Sequence, residues 1–202
     1  MNQVKRRTAA LVVGAALVVM VMSSCGGDSG SAYQGIRRPS PLDVSSVSIT
    51  DARDGSAVAV TPPEGDITLV YFGYTHCPDV CPTTFADLRL AMEDLGPLAD
   101  RVSTVFVTAD PQRDTADVLD NYVGSFLDRY SVVRIEDPAR LREVEAQFQA
   151  SSELGPVDDD GNYDVSHTAI VYAVDPSGTV QVEWPFGTKA PAIVNDLELL
   201  LS

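Results

Sequence analysis

Two cysteines, Cys77 and Cys81, carry the most evident chemistry in this chain. They lie within residues 71–84, where an apolar run leads into a turn and a helix is predicted to follow. Because proline suits the first helical position, Pro82 is predicted to open that helix with Cys81 in the cap position. The partial positive charge of a helix start would then favour the thiolate of Cys81 over its thiol. The pattern therefore predicts a reactive dithiol.

The spacing of the two thiols leaves several uses open. A residue that precedes proline avoids the α region, so Cys77 before Pro78 and Cys81 before Pro82 are both predicted to be non-helical. Across a compact turn the two side chains can form a disulfide or bind one metal ion together. A purely structural disulfide is the less favoured use, because a bond that closes so small a loop restrains the unfolded chain little.

Hydrophobic periodicity predicts the elements that position the pair. Residues 67–72 are almost continuously apolar, which is typical of a strand buried on both faces. The helix after Pro82 has one apolar stripe and is predicted to stop at Gly96 and Pro97. Strands and helices then alternate, which indicates a sheet covered by helices on both faces. The other predicted elements are strands at 102–108 and 131–135, helices ending near 126 and at 148, a closing hairpin at 168–174 and 179–184, a last helix at 190–201 and an N-terminal β-hairpin at 44–60.

The chain has two histidines that are candidates for further ligands. His76 directly precedes Cys77, and neighbouring side chains of an extended chain point to opposite sides, so His76 is predicted to face away from an ion at Cys77. The closing hairpin is predicted to bring His167 to the sheet edge that carries the cysteines. Two thiolates suit Cu(I), and an added imidazole gives affinity for Cu(II). A closed structural zinc site would need a fourth ligand.

A strand that leads to a cysteine pair at a helix start, followed by βα alternation, describes a thioredoxin-like α/β fold. Three motifs extend this description, and together they resemble the Sco/SenC family over about residues 43–202. They are residues 72–82, residues 108–114, and residues 165–168 ahead of the turn at 175–178. The resemblance implies a central mixed sheet flanked by helices, with the β-hairpin as an N-terminal extension. It also implies that Cys77, Cys81 and His167 bind one copper ion.

The second motif adds three residues near the predicted site. Asp110 and Arg113 are predicted to lie on a loop beside it. Asp114 is predicted to cap the following helix, since aspartate commonly accepts a hydrogen bond from the first helical turn.

The charge of the chain limits its partners. There are 14 Lys and Arg residues against 29 Asp and Glu residues, a net charge of −15. So acidic a surface argues against nucleic acid and against anionic lipid, and it favours cationic partners or metal cations.

The N-terminus has the pattern of an export signal. Basic residues at 5–7 precede an apolar run at 9–22 that is too short to span a bilayer comfortably. Residues 22–25 resemble the lipobox of bacterial lipoproteins, which predicts a signal peptide of residues 1–24 and a lipid on Cys25. An ordinary cleaved signal and an uncleaved anchor are the alternatives. Residues 25–42 are predicted to be a flexible tether, and residues 43–202 the domain, on the extracytoplasmic side of the cell membrane.

The function predicted from these features is that of a membrane-tethered copper metallochaperone. The resemblance implies delivery of copper to the binuclear centre of cytochrome c oxidase subunit II, with a separate copper donor and a thiol reductant as further partners. The alternative is a thiol–disulfide reductase in which Cys77 and Cys81 form the redox-active, catalytic pair and keep the oxidase cysteines reduced. A thiol peroxidase is disfavoured, because Thr75 does not have the Thr-x-x-Cys spacing. A passive copper buffer is the remaining possibility.

Overall fold

The computed structural model describes residues 32–202, so the predicted signal peptide and Cys25 lie outside the described residues. None of the described helices is long and apolar enough to cross a membrane. In chain order the elements are β1 (Ile49–Thr50), β2 (Ala57–Val58), β3 (Ile67–Gly73), α1 (Val80–Leu95), a 3-10 helix (Gly96–Arg101), β4 (Val102–Thr108), α2 (Ala116–Gly124), β5 (Tyr130–Val133), α3 (Pro138–Gln147), β6 (Ser152–Leu154), β7 (Val165–His167), β8 (Ile170–Val174), β9 (Val180–Pro185) and α4 (Ala190–Leu200).

A five-stranded mixed sheet of order β5-β4-β3-β8-β9 forms the centre of the domain. Strands β3, β4 and β5 are parallel, whereas β8 runs antiparallel to β3 and pairs with β9 as a hairpin. The predicted thioredoxin-like α/β fold with a mixed sheet is confirmed. The N-terminal hairpin is also present, although β1 and β2 have only two residues each.

Strand β3 is buried along its whole length because helices cover both faces of the sheet. Leu69 and Tyr71 point into a core shared with α1, α2 and α4. Val70 and Phe72 point into the opposite core, which contains α3 and the N-terminal hairpin. A strand that is buried on both faces is usually apolar along its whole length. The packing of both faces of β3 also fixes the direction in which the chain enters the cysteine loop.

The predicted tether differs from the structure in its second half. The backbone of Ile36 pairs with Glu183 of β9, and Leu42 accepts a hydrogen bond from Val180 N at 2.9 Å. The buried carboxylate of Asp196 accepts hydrogen bonds from Gln34 N at 2.6 Å and Gly35 N at 2.7 Å. Residues 34–42 therefore lie along the edge strand of the sheet, where they shield the backbone groups that an open edge would expose. The packed domain begins earlier than residue 43.

The hairpin of β6 and β7 is the element that the sequence pattern did not reveal. Its two strands have three residues each, and Ser152 lies opposite His167. The prediction that the closing hairpin carries His167 is wrong, since that hairpin is β8–β9 and His167 ends β7. Three residues are too few to show a clear alternation of apolar and polar side chains.

Candidate metal centre

The two cysteines lie where β3 passes into α1, at the carboxyl edge of the parallel strands. Helix α1 begins at Val80 with Asp79 in the cap position, so Cys81 is helical and the predicted non-helical conformation is wrong. Pro82 is compatible with this geometry, because the N–H groups of a first helical turn have no partner within the helix. Cys81 N donates instead to the sulfur of Cys77, in the preceding loop, at 3.3 Å.

Three side chains converge at this edge, one from the loop before α1, one from α1 and one from β7. The sulfur atoms of Cys77 and Cys81 and a ring nitrogen of His167 all lie within 4.8 Å of one another. The Sγ atom of Cys81 is 3.5 Å from Nε2 of His167. Both thiols are free and buried, and His167 is half-buried. No other cluster of three His, Cys, Asp or Glu residues suited to a metal ion is found within residues 32–202.

Neighbouring groups orient the histidine ring towards the cysteines. Its Nδ1 atom lies 3.2 Å from the carbonyl oxygen of Thr168. A carbonyl only accepts, so this hydrogen bond places the ring proton on Nδ1 and leaves a lone pair on Nε2, the nitrogen nearest to Cys81. The rings of Tyr74 and Tyr71 pack edge-on against the imidazole at 5.8 and 6.2 Å between centroids. The imidazole therefore has both the tautomer and the position of a ligand.

Close packing surrounds Cys81. The buried hydroxyl of Tyr71 donates towards its sulfur at 3.6 Å. A Cβ atom on Gly73 would lie 2.7 Å from that sulfur and 2.9 Å from Cε2 of Phe106. Glycine is therefore required at the end of β3 for the sulfur to occupy its position.

Burial decides the protonation of the site without a metal. It raises the pKa of the Cys81 thiol to about 12, against a smaller lowering effect of the Tyr71 hydroxyl. The prediction that the helix start favours the thiolate is therefore wrong for Cys81, because loss of hydration outweighs a helix-end effect of about 1 kcal/mol. Burial also lowers the pKa of His167, which keeps the imidazole neutral at pH 7 and available as a ligand.

The second histidine lies outside this cluster, as predicted. The side chain of His76 is 54% exposed. Its Nδ1 atom lies 3.2 Å from the hydroxyl of Thr75 and 3.7 Å from a carboxylate oxygen of Asp114. Asp79, between the cysteines, is exposed and accepts a hydrogen bond from Thr83.

The prediction that Asp114 caps α2 is wrong. The cap residue is Thr115, whose hydroxyl accepts from Val118 N. Asp114 is fully buried and accepts hydrogen bonds from the backbone and hydroxyl of Thr75 and from the hydroxyl of Thr108. A buried carboxylate needs several donors, and two of the three donors here belong to Thr75, in the loop that carries the cysteines.

The fold and this cluster define a thioredoxin-like domain with a Cys-x3-Cys loop and a distant histidine. The model of the SCO1/SenC family matches residues 48–202, and the chain belongs to that family. It is 35% identical over 117 residues to the mitochondrial SCO2 homolog of Danio rerio, an alignment that covers 56% of this chain and 41% of that protein. The matched region spans about half, or less, of the length of the curated relatives.

Two solved structures show the same fold at more than 30% identity. The solution structure of apo Sco1 from Thermus thermophilus has a TM-score of 0.72 and 31% identity, and the match covers 84% of this chain and 97% of that one. The structure of Bradyrhizobium japonicum ScoI with copper bound has a TM-score of 0.65 and 32% identity, and the match covers 80% and 98% of the two chains. Copper is thus bound by a protein of the same family and fold.

Proposed function

We propose that this protein is a membrane-tethered, extracytoplasmic metallochaperone that binds one copper ion through Cys77, Cys81 and His167. In this proposal the protein delivers the copper ion to the binuclear copper site of cytochrome c oxidase subunit II. Copper binding and oxidase assembly are the functions of the Sco family to which the chain belongs. The observation that carries the proposal is the convergence of two free thiols and one imidazole nitrogen within 4.8 Å.

The ligand set fits copper better than other common metals. Thiolate sulfur selects soft ions such as Cu(I), and imidazole nitrogen is a good ligand for Cu(II). Structural zinc almost always has four protein ligands, and the described residues offer three here. Calcium and magnesium prefer oxygen, which this cluster does not supply.

The same geometry suits transfer of the ion. A three-ligand site leaves a coordination position through which a ligand of the acceptor can enter before the donor ligands leave. Cys77 is 8% exposed and Cys81 is fully buried, so Cys77 is the sulfur that an incoming protein reaches first. Cys81 and His167 would hold the ion while Cys77 exchanges with the acceptor.

The tether belongs to the same proposal. The lipobox-like residues 22–25 support lipidation of Cys25 and residence at the extracytoplasmic face of the cell membrane. A domain held at the membrane meets a membrane-embedded oxidase at high effective concentration. The copper donor and the thiol reductant are proposed as further partners, since the two thiols must be reduced before they bind copper.

Metal titration tests the copper site. We expect the purified protein to bind one copper ion, with thiolate-to-Cu(II) charge-transfer absorption that disappears in Cys77→Ser and in Cys81→Ser. Retention of full copper binding and colour by either variant would show that the site is misassigned.

A thiol–disulfide reductase is the second candidate, and the proximity of two free thiols favours it. Disulfide exchange needs an attacking thiolate and a leaving thiolate but no distant imidazole. We therefore expect His167→Ala to weaken Cu(II) binding strongly and Cu(I) binding less, with reduction of a model disulfide near the parent rate. If His167→Ala keeps full Cu(II) affinity and oxidase assembly while a cysteine variant loses reduction and assembly, the reductase is the correct function.

A further inference from the structure

The last residue of β4 and the loop that follows it, residues 108–114, supply no copper ligand and yet contact both the cysteine loop and the segment that leads to His167. This loop begins at the carboxyl end of β4, beside the end of β3. Asp110 and Asp114, its two acidic residues, are both fully buried. Buried carboxylates are costly unless they are hydrogen-bonded or paired, so their partners indicate what the loop holds in place.

The partners of Asp114 belong to the cysteine loop. Its carboxylate accepts from Thr75 N at 3.1 Å and from the Thr75 hydroxyl at 2.5 Å. A backbone hydrogen bond of 2.7 Å from Ala109 N to the carbonyl of Gly73 holds the same segment just before Thr75. The chain that leads to Cys77 is thus fixed to residues 108–114 at two successive points.

Asp110 accepts a hydrogen bond from Tyr163, which lies just before the strand that ends with His167. The hydroxyl of Tyr163 donates to Asp110 at 2.8 Å, and Arg113 forms an ion pair with the same carboxylate. The Arg113 guanidinium lies 3.9 Å from the centre of the Tyr163 ring and donates to the Tyr163 carbonyl at 3.1 Å. The hydroxyl, ring and carbonyl of Tyr163 are therefore all held by this loop.

The two acidic residues are joined to each other inside the loop. The hydroxyl of Thr108 donates to Asp114 at 2.6 Å and accepts from Asp110 N at 2.9 Å. Asp114 N in turn donates to the carbonyl of Asp110 at 3.0 Å. A displacement of Asp110 is therefore transmitted to Asp114 and to the cysteine loop.

We propose that residues 108–114 form a bracket that fixes the distance between the cysteine loop and His167, with Tyr163 as the positioning residue for the imidazole ligand. Tyr163 lies two residues before β7, whose last residue is His167. Tyr74 adds a second route, since its ring packs against His167 and also faces Arg113 at 5.9 Å. The proposal rests on the copper site proposed above.

The bracket has a different importance for the two copper oxidation states. Cu(I) is satisfied by two thiolates, whereas Cu(II) favours a nitrogen donor as well. Loss of the Tyr163 hydroxyl bond leaves Asp110 paired with Arg113 and Asp114 bonded to the cysteine loop, so the thiol pair stays in place while the histidine hairpin can move away. It therefore reduces affinity for Cu(II) more than affinity for Cu(I).

The variant Tyr163→Phe tests the bracket, because it removes the hydroxyl bond to Asp110 and keeps the ring on Arg113. We expect its Cu(II) affinity to fall about 10-fold, the lower end of the effect of removing a group that orients a metal ligand. We expect Cu(I) affinity to change by less than about 2-fold, because two thiolates satisfy that ion. The nitrogen hyperfine coupling in the Cu(II) electron paramagnetic resonance spectrum should weaken, and added imidazole should restore it.

Tyr130→Phe is the matched control. The hydroxyl of Tyr130 donates to Asp120 at 2.9 Å, and Arg53 pairs with Asp120 at 3.0 Å and faces the Tyr130 ring at 5.0 Å. This is the same set of contacts at the start of β5, away from the thiols. Because Asp110 is fully buried and the Asp120 side chain is 42% exposed, Tyr130→Phe should lose the smaller amount of thermal stability, and only Tyr163→Phe should lose the Cu(II) signature.

Amide hydrogen exchange of the metal-free protein separates failure of the bracket from failure of the copper site. The hairpin amides of Gly155 and Thr168, which donate to Asp164 and Ser151, should exchange faster in Tyr163→Phe than in the parent and in Tyr130→Phe. Unchanged exchange, an unchanged Cu(II) spectrum, or an equal loss of Cu(I) and Cu(II) affinity would each overturn the bracket. Faster exchange in Tyr163→Phe, together with a parent protein that binds no copper through its thiols, would support the bracket and overturn the proposed function.

Discussion

At the scale of single residues, the site combines a thiol that burial keeps protonated with an imidazole that burial keeps neutral. Both effects disfavour charge in a site without a metal. A copper ion reverses this preference, because the cation attracts the thiolate and binds the neutral nitrogen. Copper loading would therefore release the Cys81 proton, and without the metal Cys81 is protected from reactions that need a thiolate.

The pH dependence of Cys81 alkylation tests this protection. With a pKa of about 12, the thiolate fraction rises about tenfold for each pH unit between 7 and 10. We expect the rate of reaction with iodoacetamide to rise with the same slope when it is measured on metal-free protein carrying Cys25→Ala and Cys77→Ser, which leaves Cys81 as the one thiol of the chain. In the urea-unfolded chain the rate should level off near the ordinary thiol pKa of about 8.5. A rate that levels off below pH 8 in the folded protein would mean that the helix start controls this thiol after all.

At the scale of elements, the site depends on three segments that end at one edge of the sheet. Strand β3 delivers the cysteine loop, the loop after β4 holds it, and the β6–β7 hairpin presents the histidine. Gly73 is the point of closest approach, because any side chain there would overlap the sulfur of Cys81 and the ring of Phe106. The position of the sulfur is therefore set by the last residue of a strand as much as by the helix that carries it.

Gly73→Ala tests this dependence. A Cβ atom 2.7 Å from the Cys81 sulfur forces that sulfur to move, so we expect weaker copper binding together with a loss of about 1–3 kcal/mol in the free energy of unfolding. Gly124→Ala is the control, because its Cβ would crowd the Tyr130 hydroxyl at 2.5 Å, away from the thiols. Copper titration and denaturant unfolding of both variants should show that Gly73→Ala has lost copper affinity and that Gly124→Ala has not. Equal copper affinity in the two would contradict the packing argument.

Sequence patterns reveal the sheet and helices because those elements are long enough to show a period. The buried run at β3 and the apolar stripe of α1 are of this kind. The β6–β7 hairpin has strands of three residues, and the role of Asp114 depends on donors 39 residues away along the chain, at Thr75. The pKa of Cys81 depends on how deeply the thiol is buried, and a helix start recognised in the sequence does not predict that burial. The three proposed ligands were predictable as a set only from motif resemblance, since spacing alone does not bring His167 to the cysteines.

At the scale of the whole molecule, the segment from residue 34 onwards changes how the domain would sit at a membrane. It lies along β9, and the buried carboxylate of Asp196 holds Gln34, Gly35 and the indole of Trp184 together. The carbonyl of Ala32 also accepts a hydrogen bond from Asn195 at 2.8 Å, so a lipid on Cys25 would be joined to the packed domain by residues 26–31 alone. Such a segment reaches at most about 22 Å when fully extended. The domain would thus work within about one domain diameter of the bilayer surface.

Cys25→Ala tests the proposed tether. The apolar run at 9–22 is shorter than the roughly 20 residues of a spanning helix, so we expect it to be a weak anchor without a lipid. We expect the variant to leave the membrane fraction or to remain unprocessed, with oxidase activity of the cells reduced. The purified domain should keep its copper stoichiometry, because residues 32–202 contain all three proposed ligands. Ser29→Ala, four residues further along, is the control and should fractionate like the parent. Normal processing and membrane retention of Cys25→Ala would rule out the lipoprotein hypothesis and leave an uncleaved anchor as the alternative to examine.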